Sequence, residues 1–299
     1  MSVLLMTVWL TGCVQEEFES TPSPAGNGIR FTLTVPDVNL PSVSSRTMTG
    51  TGTAKKEDEI ETVDILVFDM SKTPAVFLEW ASATEVTQDL ADNSTVSFSA
   101  VLSPTTASTC IVVVANKELD GIVSGFTKGV TTKVRAMEEM LHTQTGKWLA
   151  DGSTTGGYTR IPMYGEKVIS KITPSMNPIT DINMKRMLAR IDIRNNSVTS
   201  NFTVEEVYLA NYNTTGYIAP AWNTNGQVTE PAPDTPVLPT GSGKMTEEGN
   251  AILYSVNGNT PYDGEIYTFE SLAAGDAGGA GQDGEASRKD ATCLIVKGK

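Results

Sequence analysis

Ile29-Arg30-Phe31-Thr32-Leu33-Thr34-Val35 sets Ile29, Phe31, Leu33 and Val35 against Arg30, Thr32 and Thr34 in strict alternation. A period of two belongs to a β-strand with one face buried and the other in water. Its setting is unusual: Cys13 precedes it, and a lone arginine follows it in the polar loop Ser44-Ser45-Arg46-Thr47. A cut between Arg46 and Thr47 would let the ribbon leave. A sandwich that loses an edge strand exposes an apolar groove and a row of unpaired N–H and C=O groups, which is a template for a strand from another molecule. The expectation is a β-protein that polymerises through this ribbon.

The segments downstream are also strands. Ile60 to Asp69, with Val63-Asp64-Ile65-Leu66-Val67-Phe68-Asp69, is apolar on both parities in its second half and so is expected at the centre of a sheet. Val96 to Leu102 alternates and stops at Ser103-Pro104, and Cys110 to Asn116 is a second buried strand ending in turn chemistry. Ile161-Pro162-Met163-Tyr164-Gly165-Glu166 reads as the exit from a first domain, with a boundary near Pro178. Met187 to Arg194, Phe202 to Asn211, Ile266 to Glu270 and Thr292 to Lys297 are the strands of a second. The stretch from Asn213 to Thr246, rich in Pro, Gly, Asn and Thr, reads mostly as loop. One helix is expected, Thr132 to Leu141, as a cap on the sandwich. Val134, Met137, Met140 and Leu141 form its apolar side, and Lys133, Arg135, Glu138 and Glu139 the polar one. His142, the only histidine, follows it and reads as a partly exposed imidazole favoured by the helix dipole.

With 299 residues, 39% of them hydrophobic, the chain has room for two domains, and two sandwiches are the first expectation. A net charge of −13 would repel phosphate backbones, which argues against nucleic-acid binding. Cys110 and Cys293 lie in apolar runs and read as buried free thiols. No cofactor or metal is expected. Gly50 to Lys56 looks superficially like a phosphate loop but lacks the preceding strand and the Lys-Ser/Thr ending, so it is a linker. Gly278 to Asp283 fits most of a calcium nonapeptide but occurs once, and Glu285 stands where an apolar residue is needed.

At the N-terminus, Val3 to Leu10 is an apolar run, and Leu10-Thr11-Gly12-Cys13 resembles a lipobox. The basic n-region is missing, so the start is expected to be mis-assigned or to have lost upstream residues. This makes 1–12 a signal peptide and 13–46 a lipidated leader carrying the removable strand. The acidic run Val14 to Glu19 resembles the export signals that carry some lipoproteins to the outer leaflet of the outer membrane. The domains expected after it are 47–178 and 179–299. Because the chain stops at Lys299 directly after a strand, the second is expected to be incomplete.

In this order, the lipobox, the ribbon before a loop arginine, Ile60 to Asp69, Val112-Val113-Val114-Ala115-Asn116, Ile161 to Gly165, Met187 to Asp192, Tyr267-Thr268-Phe269-Glu270 and Leu294 to Lys299 resemble the landmarks of the FimA/Mfa-type fimbrilins, lipoprotein precursors of type V pili. The resemblance covers nearly the whole chain, through order and spacing rather than any single motif. It implies an all-β fold of two tandem transthyretin-like β-sandwich domains with one short helix. It also implies acylation (palmitate) at Cys13, anchoring in the cell outer membrane, and cleavage after Arg46. The excised strand, with Ile29, Phe31, Leu33 and Val35 facing inward, would vacate a groove for the C-terminal strand of another fimbrial subunit, in a homo- or heteropolymer. That donor segment is expected beyond Lys299. Shaft, anchor and tip positions stay open, as does a host or bacterial surface ligand for adhesion.

Two other function classes compete with this reading. One histidine and no nucleophile-base pair leave no catalytic constellation to propose, so the chain is not expected to be an enzyme. A surface glycan-binding lipoprotein would share the lipobox and sandwiches and would need exposed aromatics, for which Trp80, Trp148, Tyr217 and above all Trp222 are available.

Overall fold

The computed structural model describes residues 28–34, 57–88, 95–149, 159–193, 201–230, 236–240, 244–245, 250–255, 262–272 and 291–299. The fold is all-β, with two short helices among the described residues. One sheet has the order β4 (Thr84–Gln88), β5 (Thr95–Val101), β1 (Gly28–Thr34), β9 (Ile179–Asn183). Packed on it is a five-stranded sheet in the order β10 (Lys185–Arg186), β8 (Met163–Ile169), β6 (Thr109–Ala115), β2 (Val63–Asp69), β3 (Val76–Ser82). Ile65, Val67, Ile111 and Val113 from the second sheet share a core with Ile29, Phe31, Leu33, Val96 and Phe98 from the first.

The opposite parity of the five-stranded sheet is buried too. Leu66, Phe68, Cys110, Val112, Val114 and Tyr164 form a second core with Ala136, Met137 and Met140, and with Ile218, Ala219, Tyr267 and Phe269 from later in the chain. Burial on both faces is why β2 and β6 read as continuous apolar runs rather than alternating ones. Asp64 is the polar exception. Its carboxylate accepts the Leu119 N–H at 2.9 Å and the Ser82 hydroxyl at 2.7 Å, so the group is satisfied although it is only 6% exposed.

The helices are α1 (Asp120–Val123) and α2 (Lys133–Glu139). Thr132 caps α2, its hydroxyl accepting the Arg135 N–H at 3.1 Å. Lys133 departs from expectation by facing inward. It is 1% exposed, and its ammonium donates to Glu166 at 2.6 Å, while Tyr164 donates its hydroxyl to the same carboxylate. Burial, then the charge of Glu166, holds the Tyr164 hydroxyl well above its usual pKa. Helical spacing could not predict this, because Glu166 comes from β8.

The remaining strands pair β11 (Ala189–Ile193) with β17 (Tyr262–Thr268), and β12 (Val204–Ala210) with β16 (Ile252–Ser255) on one side and β18 (Cys293–Gly298) on the other. Val207, Leu209, Tyr212, Tyr254 and Ile266 make a third core. The long excursion contributes β13 (Tyr212–Asn213), β14 (Thr215–Tyr217) and β15 (Lys244–Met245). β14 pairs with β7 (Leu141–Thr143), which puts His142 on a strand instead of a helix end. Burial, then the charge of Lys117, lowers the His142 pKa, the reverse of a dipole-favoured cation.

Three further expectations are corrected. Ile161 to Glu166 is no exit: it leads into β8, an interior strand, where Gly165 has no side chain because a Cβ would meet Met184 Sδ at 2.7 Å. β9 and β10, beyond Pro178, pair with β1 and β8, so the first sandwich draws strands from both sides of that residue. Cys293 is exposed, whereas Cys110 is fully buried and its thiol is pushed up to about 12, chiefly by burial. In a Cys13→Ser background, Ellman's reagent should titrate one thiol promptly, Cys293, and reach Cys110 only on denaturation. Two fast equivalents would contradict this burial.

Candidate functional site

β1 is an interior strand, not the edge strand expected. It runs antiparallel to β5 with the register Ile29 to Ala100, Phe31 to Phe98 and Leu33 to Val96. On its other side it runs parallel to β9, Phe31 beside Ile179 and Leu33 beside Ile182. Two steps along β1 thus match three along β9, a bulge in which Asp181 takes φ 59°. The bulge explains why β9 carries no strand alternation in the sequence: Ile179 and Ile182 are three apart.

The alternation of β1 itself is as expected. Ile29, Phe31 and Leu33 are 5%, 1% and 0% exposed, and Thr34 is exposed to solvent. The Phe31 ring stacks on Phe98 with centroids 4.9 Å apart and planes 4° from parallel. Arg30 and Thr32, on the outer face, line a shallow groove of about 430 Å³ with Glu85, Thr87 and Ser97. Removing β1 would therefore uncover apolar core, leave β5 with one unpaired edge, and leave β9 without the one ladder it has among the described residues. Cys13, Val35, Arg46 and Thr47 lie outside the described residues, as does the calcium-like glycine run.

Downstream of Arg46, the described chain resumes at Glu57 under an arginine clamp. Arg190 donates to Glu57 at 2.9 Å, and Tyr267 gives the same carboxylate its hydroxyl. Arg186 pairs with Asp58 and donates to the Glu57 carbonyl at 3.2 Å. Arg160 meets Glu59 at 3.3 Å and Glu61 at 2.7 Å. The acidic run Glu57-Asp58-Glu59 and the arginines were visible in the sequence, but their pairing joins residues more than 100 positions apart and left no local signal.

Of the aromatics available for glycan stacking, the three tryptophans pack against the second core. Trp148 is 3% exposed and donates its indole N–H to the Thr159 carbonyl at 3.0 Å. Trp80 and Trp222 pack against the second core, and Trp222 meets Tyr217 edge-on at 4.8 Å.

Residues 29–285 match the family model described as major fimbrial subunit protein (FimA). The chain belongs to the FimA major fimbrial subunit family. As such a fimbrial subunit it is a structural or adhesive protein of cell-surface fimbriae, not an enzyme, and it associates with other fimbrial subunits. Among solved structures, a candidate cell adhesion protein from Parabacteroides distasonis shares the fold. Its TM-score is 0.51 at 15% identity, over 91% of this chain and 75% of the other. A fimbrial assembly protein from the same organism aligns at TM-score 0.39 and 12% identity, over 90% of this chain and 85% of the other. No curated protein matches the chain.

Proposed function

We propose that this fimbrial subunit is exported as a lipoprotein acylated at Cys13 and held at the outer membrane until a protease cuts between Arg46 and Thr47. β1 then leaves, and a strand from another subunit enters its place, linking subunits into a fimbria that serves adhesion. The observation that carries this reading is the position of β1: it is paired on both sides and fills the core with Ile29, Phe31 and Leu33. Such a strand stores a binding site, because its departure opens two ladders and an apolar floor at once.

The clamp on Glu57, Asp58 and Glu59 supports the same reading. It holds the chain beyond the cut against Arg160, Arg186 and Arg190, so that cleavage frees the leader without unravelling β2. We place the boundary of the first sandwich after Arg186, since β10 is its last strand in the sequence.

The test is digestion of the full chain with an arginine-specific protease. One early cut is expected after Arg46, with the leader piece retained under native conditions and released only by denaturant or by a competing strand. Arg46→Ala should remove this early cut and the exchange that follows it. A leader that falls away at once, leaving a stable monomer, would defeat the proposal.

A further inference from the structure

The slot that β1 fills is not uniform along its length, and the difference bears on what can enter it. Ile29 faces the small Ala100, Phe31 faces Phe98, and Leu33 faces Val96. A flat aromatic is therefore matched at one position only, and aliphatic side chains are matched two residues to either side. The β9 wall adds a second constraint. Its extra residue between Ile179 and Ile182 breaks the two-residue repeat of the ladder, so a strand shifted by two no longer meets the same partners. Together, the stacked ring and the bulge define a single register.

We propose that the slot selects its incoming strand at this position. The partner is an extended segment of another chain with the pattern aliphatic-x-aromatic-x-aliphatic, running antiparallel to β5, its aromatic ring on Phe98. The inference rests on the exchange reading above and names the chemistry of what is exchanged. β1 itself is the evidence for the fit: its Phe31 ring, 1% exposed, is stacked on Phe98 with planes 4° from parallel, while Ile29 and Leu33 fill the flanking positions.

The experiment uses the full chain cut after Arg46, at a urea concentration below its unfolding midpoint, with excess labelled peptides. The first carries residues 28–35 unchanged, and two others carry Phe31→Leu and Phe31→Ala. Uptake is read by native mass spectrometry. The alanine peptide should bind about 100-fold or more weakly than the unchanged one. The leucine peptide should lose roughly three- to tenfold, the share of the stacked ring beyond its buried area. In a Phe98→Leu chain, the preference for phenylalanine over leucine should disappear while the unchanged peptide still enters.

Equal uptake of all three peptides would overturn the aromatic selection and leave strand exchange standing. Uptake of none, the unchanged peptide included, would defeat the exchange reading itself, and this inference with it.

Discussion

Phe31→Ala in the uncut chain is expected to cost about 3–5 kcal/mol of stability, the range for truncating a fully buried phenylalanine. Three losses combine at one site. The transfer energy of the ring goes, a cavity opens between the two sheets, and the stack on Phe98 at 4.9 Å is lost. A domain of ordinary marginal stability has about 5–15 kcal/mol in all, so this substitution removes a large share of it. Thr34→Ala, on the exposed side of the same strand, should change stability by no more than about 0.5 kcal/mol. Urea unfolding of both variants checks the contrast. Near-equal midpoints would mean that β1 is not held in the core, and the stored-strand mechanism would go with it.

The second large effect is expected at Lys133. Lys133→Met keeps most of the apolar stem but strands the Glu166 carboxylate, which among the described residues then keeps the Tyr164 hydroxyl as its side-chain partner in a site that is 20% exposed at Glu166. Breaking a buried pair from one side costs about 3–5 kcal/mol, because the remaining charge is uncompensated. Adding Glu166→Gln should restore much of that loss, since the neutral amide no longer needs a counter-charge. The double variant being more stable than the single is the diagnostic outcome. If Lys133→Met alone is neutral, the pair contributes little, and the second core tolerates an isolated carboxylate.

These two sites also mark where reading the sequence succeeded and where it failed. The inward residues of β1 were legible because alternation in a strand is a local property: each side chain points opposite to its neighbour whatever lies beside the strand. The continuous apolar runs of β2 and β6 were legible for a related reason, since only a sheet covered on both faces leaves them no polar positions. Lys133 failed because its partner sits on β8, 33 residues away, and a lysine on a helix face normally reaches water. His142 failed because β7 pairs with β14, a segment more than 70 residues further along, and so continues as a strand directly after α2.

By itself, then, the amino-acid order determined an all-β chain, which side of the Ile29 ribbon turns inward, and that β2 and β6 would be covered on both faces. Only the tertiary structure decided that β1 lies between β5 and β9 instead of at a rim, and that Arg160, Arg186 and Arg190 grip the acidic run after the linker. The division has one physical cause. Alternation and hydrophobicity are set by a residue and its immediate neighbours. Strand order and ion pairing are instead set by contacts between segments distant in the chain, which the folded backbone alone brings together.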